Sequence, residues 1–182
     1  MIKEYVKELV TSPYIKGTNE FRAIYELNKH IELSQKDICT LGRSKCPRGF
    51  EYHQPNVSRA LKNISKYITE SREVNGNTLI SIKNAVLSKP ISQYEYDIVG
   101  KIIYTPAIGG NSNLIRILYI LLYFDKGANI NDIITTFGMS EDATKVAITS
   151  LWNYQIINMS ERDGEPKTFS INLDWEWKNI IF

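Results

Sequence analysis

Apolar residues recur at helical spacing along most of the chain. Ile2, Tyr5, Val6 and Leu9 share one face of a helix over residues 1–12. Ser12-Pro13 and Gly17-Thr18 punctuate the loop that follows. Phe21, Ile24, Tyr25 and Leu27 mark a second helix, with Asn19 as its expected cap. Ser34, followed three residues on by Asp37, opens a third, LSQKDICTL. A fourth opens after Gln54-Pro55, where the missing proline N–H has no partner to lose. It buries Val57, Ala60, Leu61, Ile64 and Tyr67. Two extended runs then flank Val74-Asn75-Gly76-Asn77, and Asn75 and Gly76 tolerate the positive φ that a two-residue hairpin needs.

The same order returns in the second half. SNLIRILYILLYFDKG reads as a strongly apolar helix ending at Gly127. NINDIITTFG is a short helix, with Asn129 or Asn131 near its cap and Gly138 at its end. SEDATKVAITSLWNYQ follows, with Ser140 as N-cap and Thr144, Ala147, Ile148 and Leu151 as its buried face. Residues 156–160 and 167–173 are expected strands, with ERDGEPK as the turn. Between the halves, Ser88-Lys89-Pro90, Thr105-Pro106 and Gly109-Gly110 break the pattern. Residues 93–104 fit a strand pair or a short helix, and their Ile, Val and Tyr content favours extended structure weakly. The expectation is a mainly α chain with small β-hairpins (α+β), divided into units 1–88 and 111–182 by a connector, 89–110.

Charge separates the halves. Residues 1–100 carry fifteen cations and eleven acids, a net +4; residues 101–182 carry seven and nine, a net −2. Between Arg43 and Lys66 six cations face one acid, Glu51, so this window alone nets +5 against +2 for the whole chain. Such concentration is the electrostatic footprint of phosphate binding. The polar face of the fourth helix carries Asn56, Ser58, Arg59, Lys62, Asn63 and Lys66. Arginine reads guanine and asparagine reads adenine bidentately, so Arg59, Asn56 and Asn63 are candidate base readers. Gln54, Arg43, Lys45, Arg48, Arg72, Asn75 and Asn77 complete the candidate set. The loop GRSKCPRGFEYHQ is longer than a three- or four-residue turn. Its basic, Gly- and Pro-containing composition suits reach to a phosphate backbone; a plain surface insertion is the alternative.

Helix, turn, helix, hairpin is the winged-helix order, and NVSRALKNISKYI resembles the recognition helices of that superfamily. The resemblance covers about fifty residues, 33–83. It implies double-stranded DNA as partner, with the second helix in the major groove and the hairpin along the backbone. Residues 111–182 resemble a second winged helix, with a turn, FGMS, of ordinary length. Tandem winged helices occur in plasmid replication initiators, so the resemblance implies a transcriptional regulator or a protein that binds a plasmid or phage origin. A non-catalytic assembly protein using winged helices for protein contacts is the alternative, and it has no need of the +5 window.

The second unit is chemically different. Its would-be recognition helix opens with Glu141-Asp142, which phosphates repel, and offers Lys145, Thr149 and Asn153 outward. With Arg162 and Lys167 from its hairpin these form a second, sparser set of DNA candidates. The tail DWEWKNIIF suits burial on its own unit or on a partner. The expectation is a homodimer joined through this unit.

Other chemistry is thin. His30, Cys39, Cys46 and His53 fall in one window, but eight, six and six intervening residues match none of the tight ligand pairs of zinc sites. Cys39 beside Ile38 and Leu41 reads as a buried free thiol, and a Cys39–Cys46 disulfide is disfavoured in a reducing compartment. Lys45 and Arg48 flank Cys46 and would lower its pKa, but nothing places a general base beside it. No Gly-rich phosphate loop or nucleophile elbow occurs. The expectation is a protein that is not an enzyme and needs no cofactor or metal. Hydrophobic residues are 43% and charged residues 23%, an ordinary globular balance. MIKEYVKELV lacks the pattern of a signal peptide, and the longest apolar run, Leu114 to Phe124, is interrupted by Arg116. A soluble, cytoplasmic protein is expected.

Overall fold

The computed structural model describes residues 2–45, 52–88, 100, 102–105, 108, 111–124 and 126–176. Arg48, Cys46, Glu51, residues 93–99 and the end of the C-terminal tail lie outside the described residues, as does the side chain of Arg72.

Helix α1 (Ile2–Thr11) buries Tyr5, Val6, Leu9 and Val10. Helix α2 (Thr18–His30) starts two residues earlier than expected. Its cap is Gly17, because Glu20 reaches back to accept the Gly17 N–H at 2.8 Å. Asn19 lies inside the first turn and accepts from Arg22 at 3.2 Å. Strand β1 (Glu32–Ser34) has no counterpart in the periodicity; three residues are too short to show one. Ser34 both ends β1 and caps α3 (Gln35–Lys45): the Asp37 N–H donates to its Oγ at 3.1 Å and the Ser34 N–H donates to the Asp37 carboxylate at 3.2 Å. Helix α4 (Gln54–Asn63) follows, then β2 (Ile68–Val74) and β3 (Asn77–Ile82). Asn75 and Gly76 both take positive φ, 51° and 74°, the two-residue turn that the sequence predicts. The sheet is antiparallel in the order β1-β3-β2, with Ser34 opposite Leu79 and Val74 opposite Asn77.

Helix α5 (Ser112–Tyr123) stops short of Gly127. It is apolar nearly all round, because α1 covers one side and α7 (Glu141–Asn153) another. Helix α6 (Ile130–Phe137) is capped by Asn129, whose Oδ1 accepts the Asp132 N–H at 2.9 Å, and closed by Gly138 in the left-handed region. Ser140 caps α7. Strands β4 (Ile157–Ser160) and β5 (Thr168–Ile171) pair antiparallel, and Ala128 bridges to Phe169 of β5. In both halves, then, the residues just before the first helix of the helix-turn-helix pair, α3 or α6, pair with the last strand of the hairpin.

One core runs through both halves. Helix α1 packs on α5 and α6, although it precedes the first sheet in sequence. Phe21 of α2 stacks on Tyr119 of α5 with centroids 5.8 Å apart. Ile102, Ile103, Tyr104, Thr105 and Ile108, all in the expected connector, are buried. Gly100, Ile102 and Ile103 have helical backbone rather than the extended one that β-branched content suggested; packing overrides so weak a preference. The chain is thus a mixed helical and antiparallel-sheet structure. Among the described residues no helix is long and apolar enough to cross a membrane.

Candidate nucleic-acid interface

The segment between α3 and α4 is pinned at its C-terminal end by Tyr52. The Tyr52 ring lies on Gly42, where any Cβ would overlap it. Its carbonyl accepts the Cys39 thiol at 2.9 Å, and its hydroxyl donates to the Asn19 carbonyl at 3.2 Å. Burial raises its pKa well above the usual tyrosine value; Arg22 opposes the shift and Glu26 adds to it. This clamp fixes where α4 begins relative to α2 and α3. Val57, Ala60, Leu61 and Ile64 face the core, so Gln54, Ser58, Arg59, Lys62, Asn63 and Lys66 are exposed on one side of α4 and the turn after it. Asn56 is half-buried.

Within this set the residues differ. Arg59 and Lys62 form no salt bridge among the described residues. Arg43 is exposed at the end of α3. A groove of about 560 Å³ separates α4 from the hairpin and is lined by Gln35, Ser58, Lys62, Ser65, Thr69 and Glu70, among others. Lys66 sits 4.9 Å from the Tyr14 ring centroid, a cation–π contact that leaves its ammonium at the surface. Asn63 is turned toward the protein: its Nδ2 donates to Glu20 at 2.7 Å. Lys45 is turned inward more completely. Its ammonium donates to both oxygens of Glu26, at 2.5 and 2.6 Å, and stands over the Tyr25 and Tyr104 rings. Asn75 and Asn77 are exposed at the hairpin tip. The hairpin also exposes Glu70 and Glu73, acids on the element expected to follow phosphates.

Glu26 is fully buried and was invisible in the sequence, because it lies in a helical run between Tyr25 and Leu27. It accepts from Lys45 and from the Tyr104 hydroxyl at 2.7 Å, with His30 Nε2 3.7 Å away. Arg22, also buried, donates Nε to the Ile103 carbonyl at 2.8 Å. Cys39 is a buried thiol, and His53 caps α4 at the surface. Among the described residues no cluster of three or more His, Cys, Asp or Glu could hold a metal.

On α7, Lys145 is bound to Glu141 at 2.5 Å. Each partner favours the other's charge, lowering the Glu141 pKa and raising that of Lys145. Thr149 and Asn153 are exposed, but so are Val146 (60%) and Trp152 (48%) on the same outward side. Arg162 is exposed on the second hairpin, and Lys167 lies 3.4 Å from Glu161. The outward side of α7 is therefore part apolar, and its one lysine is neutralised by a neighbour.

The chain matches no family model, no curated protein and no solved structure.

Proposed function

We propose that the chain is a sequence-specific double-stranded DNA-binding protein of two winged-helix units, a transcriptional regulator or a plasmid or phage origin-binding protein. The observation that carries this reading is the outward side of α4, where Gln54, Ser58, Arg59 and Lys62 stand exposed opposite Val57, Ala60, Leu61 and Ile64. The order of helices and the sheet order β1-β3-β2 support the winged-helix assignment, and the Ala128–Phe169 bridge supports it for the second half.

In this reading α4 enters the major groove. Arg59 pairs with a guanine edge, and Lys62, Lys66 and Arg43 neutralise phosphates. Lys45 and Asn63 act indirectly, by holding α3 and α4 on α2. Glu70 and Glu73 keep the strands of the hairpin off the backbone, so its contact is confined to the tip, Asn75 and Asn77. The second unit serves as the partner-binding half. Val146 and Trp152 favour protein contact there, since exposed tryptophan is the residue type most enriched at binding hot spots. A homodimer would hold two half-sites and gain affinity through effective concentration.

Gel-shift of the full chain on the DNA flanking its own gene, with a random duplex alongside, tests the reading. Arg59→Ala should cost roughly 1–3 kcal/mol on the specific duplex and less on the random one. Equal loss on both would reduce Arg59 to a phosphate contact, and no binding to any duplex would end the DNA reading.

A further inference from the structure

We infer that the phosphate-contacting surface continues beyond α4, along the loop after α1, to the seam between the two units, with Lys16 as its contact residue. This rests on the duplex-DNA reading above.

The loop over residues 12–16 is fastened to the turn after α4. Ser12 Oγ and the Tyr67 hydroxyl are 2.7 Å apart, and Tyr14 packs edge-on to Tyr67 with centroids 5.9 Å apart. Lys66 lies over the Tyr14 ring. Lys16, two residues beyond Tyr14 and exposed, therefore extends the same stretch of surface. From the second unit Arg116 of α5 holds this loop in place, donating to the Ile15 carbonyl at 2.9 Å and the Lys16 carbonyl at 3.5 Å. Its other acceptors are Ser112 Oγ and Asn113 Oδ1. All four are neutral, so the half-buried guanidinium adds an unbalanced positive charge beside Lys16. A crevice of about 510 Å³ opens between Lys16, Arg116 and the turn before α7, and among the described residues no acid lines it. Glu8, beside Tyr67, and Asp142 in the first turn of α7 bound the path; Glu141 is already paired.

Two cations without a counter-charge at a concave seam, linked to Lys66 through Tyr14, match a phosphate backbone running off the end of the α4 site. Lys16 is then a contact residue and Arg116 a positioning one.

The test uses the full chain and a mixed-sequence duplex, with the binding constant measured across a salt series. Lys16→Ala should make the slope of log K against log salt shallower by about 0.9, as should Lys62→Ala. Lys16→Glu should bind more weakly than Lys16→Ala. Only the carbonyl of Lys16 is engaged among the described residues, so both variants should melt as the parent does. Unchanged slopes in both Lys16 variants beside a shallower slope in Lys62→Ala would overturn the seam contact and leave the α4 reading standing. A parent protein that binds no duplex would overturn both.

Discussion

Lys45 shows how far one buried group redirects a surface residue. Glu26 is fully buried, and a bare carboxylate there would be costly, so it gathers the Lys45 ammonium and the Tyr104 hydroxyl. Removing the lysine leaves the charge buried and uncompensated. Lys45→Met should therefore cost about 3 kcal/mol of stability, read as a lowered denaturant midpoint, while any DNA affinity at temperatures well below melting changes little. A large loss of affinity in a variant that melts normally would return Lys45 to the interface.

At the scale of elements, the junction of α2 with β1 is strained. Ile31 has φ 68° and ψ −58°, the geometry of a tight three-residue turn that β-branched residues avoid, and its side chain is 78% exposed. Nothing is lost from the core by removing it. Ile31→Gly should stabilise the protein by about 1 kcal/mol, and thermal melting decides it; a destabilised variant would show that the exposed side chain makes a contact of its own. Helix α7 supports a different expectation. If Val146 and Trp152 meet a second copy, Trp152→Ser should shift sedimentation of the full chain toward monomer, and Lys145→Ala should leave DNA affinity unchanged. A parent that sediments as monomer at all concentrations would remove self-association through α7.

At the scale of the whole molecule, buried tyrosines link stability to pH. Tyr52, Tyr104 and Tyr119 are buried, and burial is the main cause that raises the pKa of each; Glu26 adds to the shift of Tyr52 and Tyr104 while Arg22 reduces it. Their unfolded value is 10.0, so above that pH the unfolded chain releases protons that the folded chain retains. Stability is then full below pH 10 and falls as pH rises further, by up to about 1.4 kcal/mol per unit for each tyrosine. Because Tyr119 of the second half stacks on Phe21 of the first, alkaline unfolding should be a single transition, followed by near-ultraviolet tyrosine absorbance and circular dichroism together. Two separated transitions would mean that the halves are energetically independent.

Periodicity alone located most helices, because a buried stripe must recur every three to four residues wherever one side of a helix meets a core. Local chemistry placed the Asn75-Gly76 turn and the caps at Ser34 and Ser140, since these depend on residues within a few positions of each other. The exposed side of α4 was legible for the same reason: its pattern of apolar and polar residues is local. What depends on distant partners was not legible. No local pattern shows that Lys45 turns in to Glu26, that Asn63 bonds Glu20 across 43 residues, or that α1 packs on α5. Nor does any show that Arg116 holds the Lys16 loop from one hundred residues away. Those choices are made by desolvation and by hydrogen-bond geometry, which exist only once the two halves have come together.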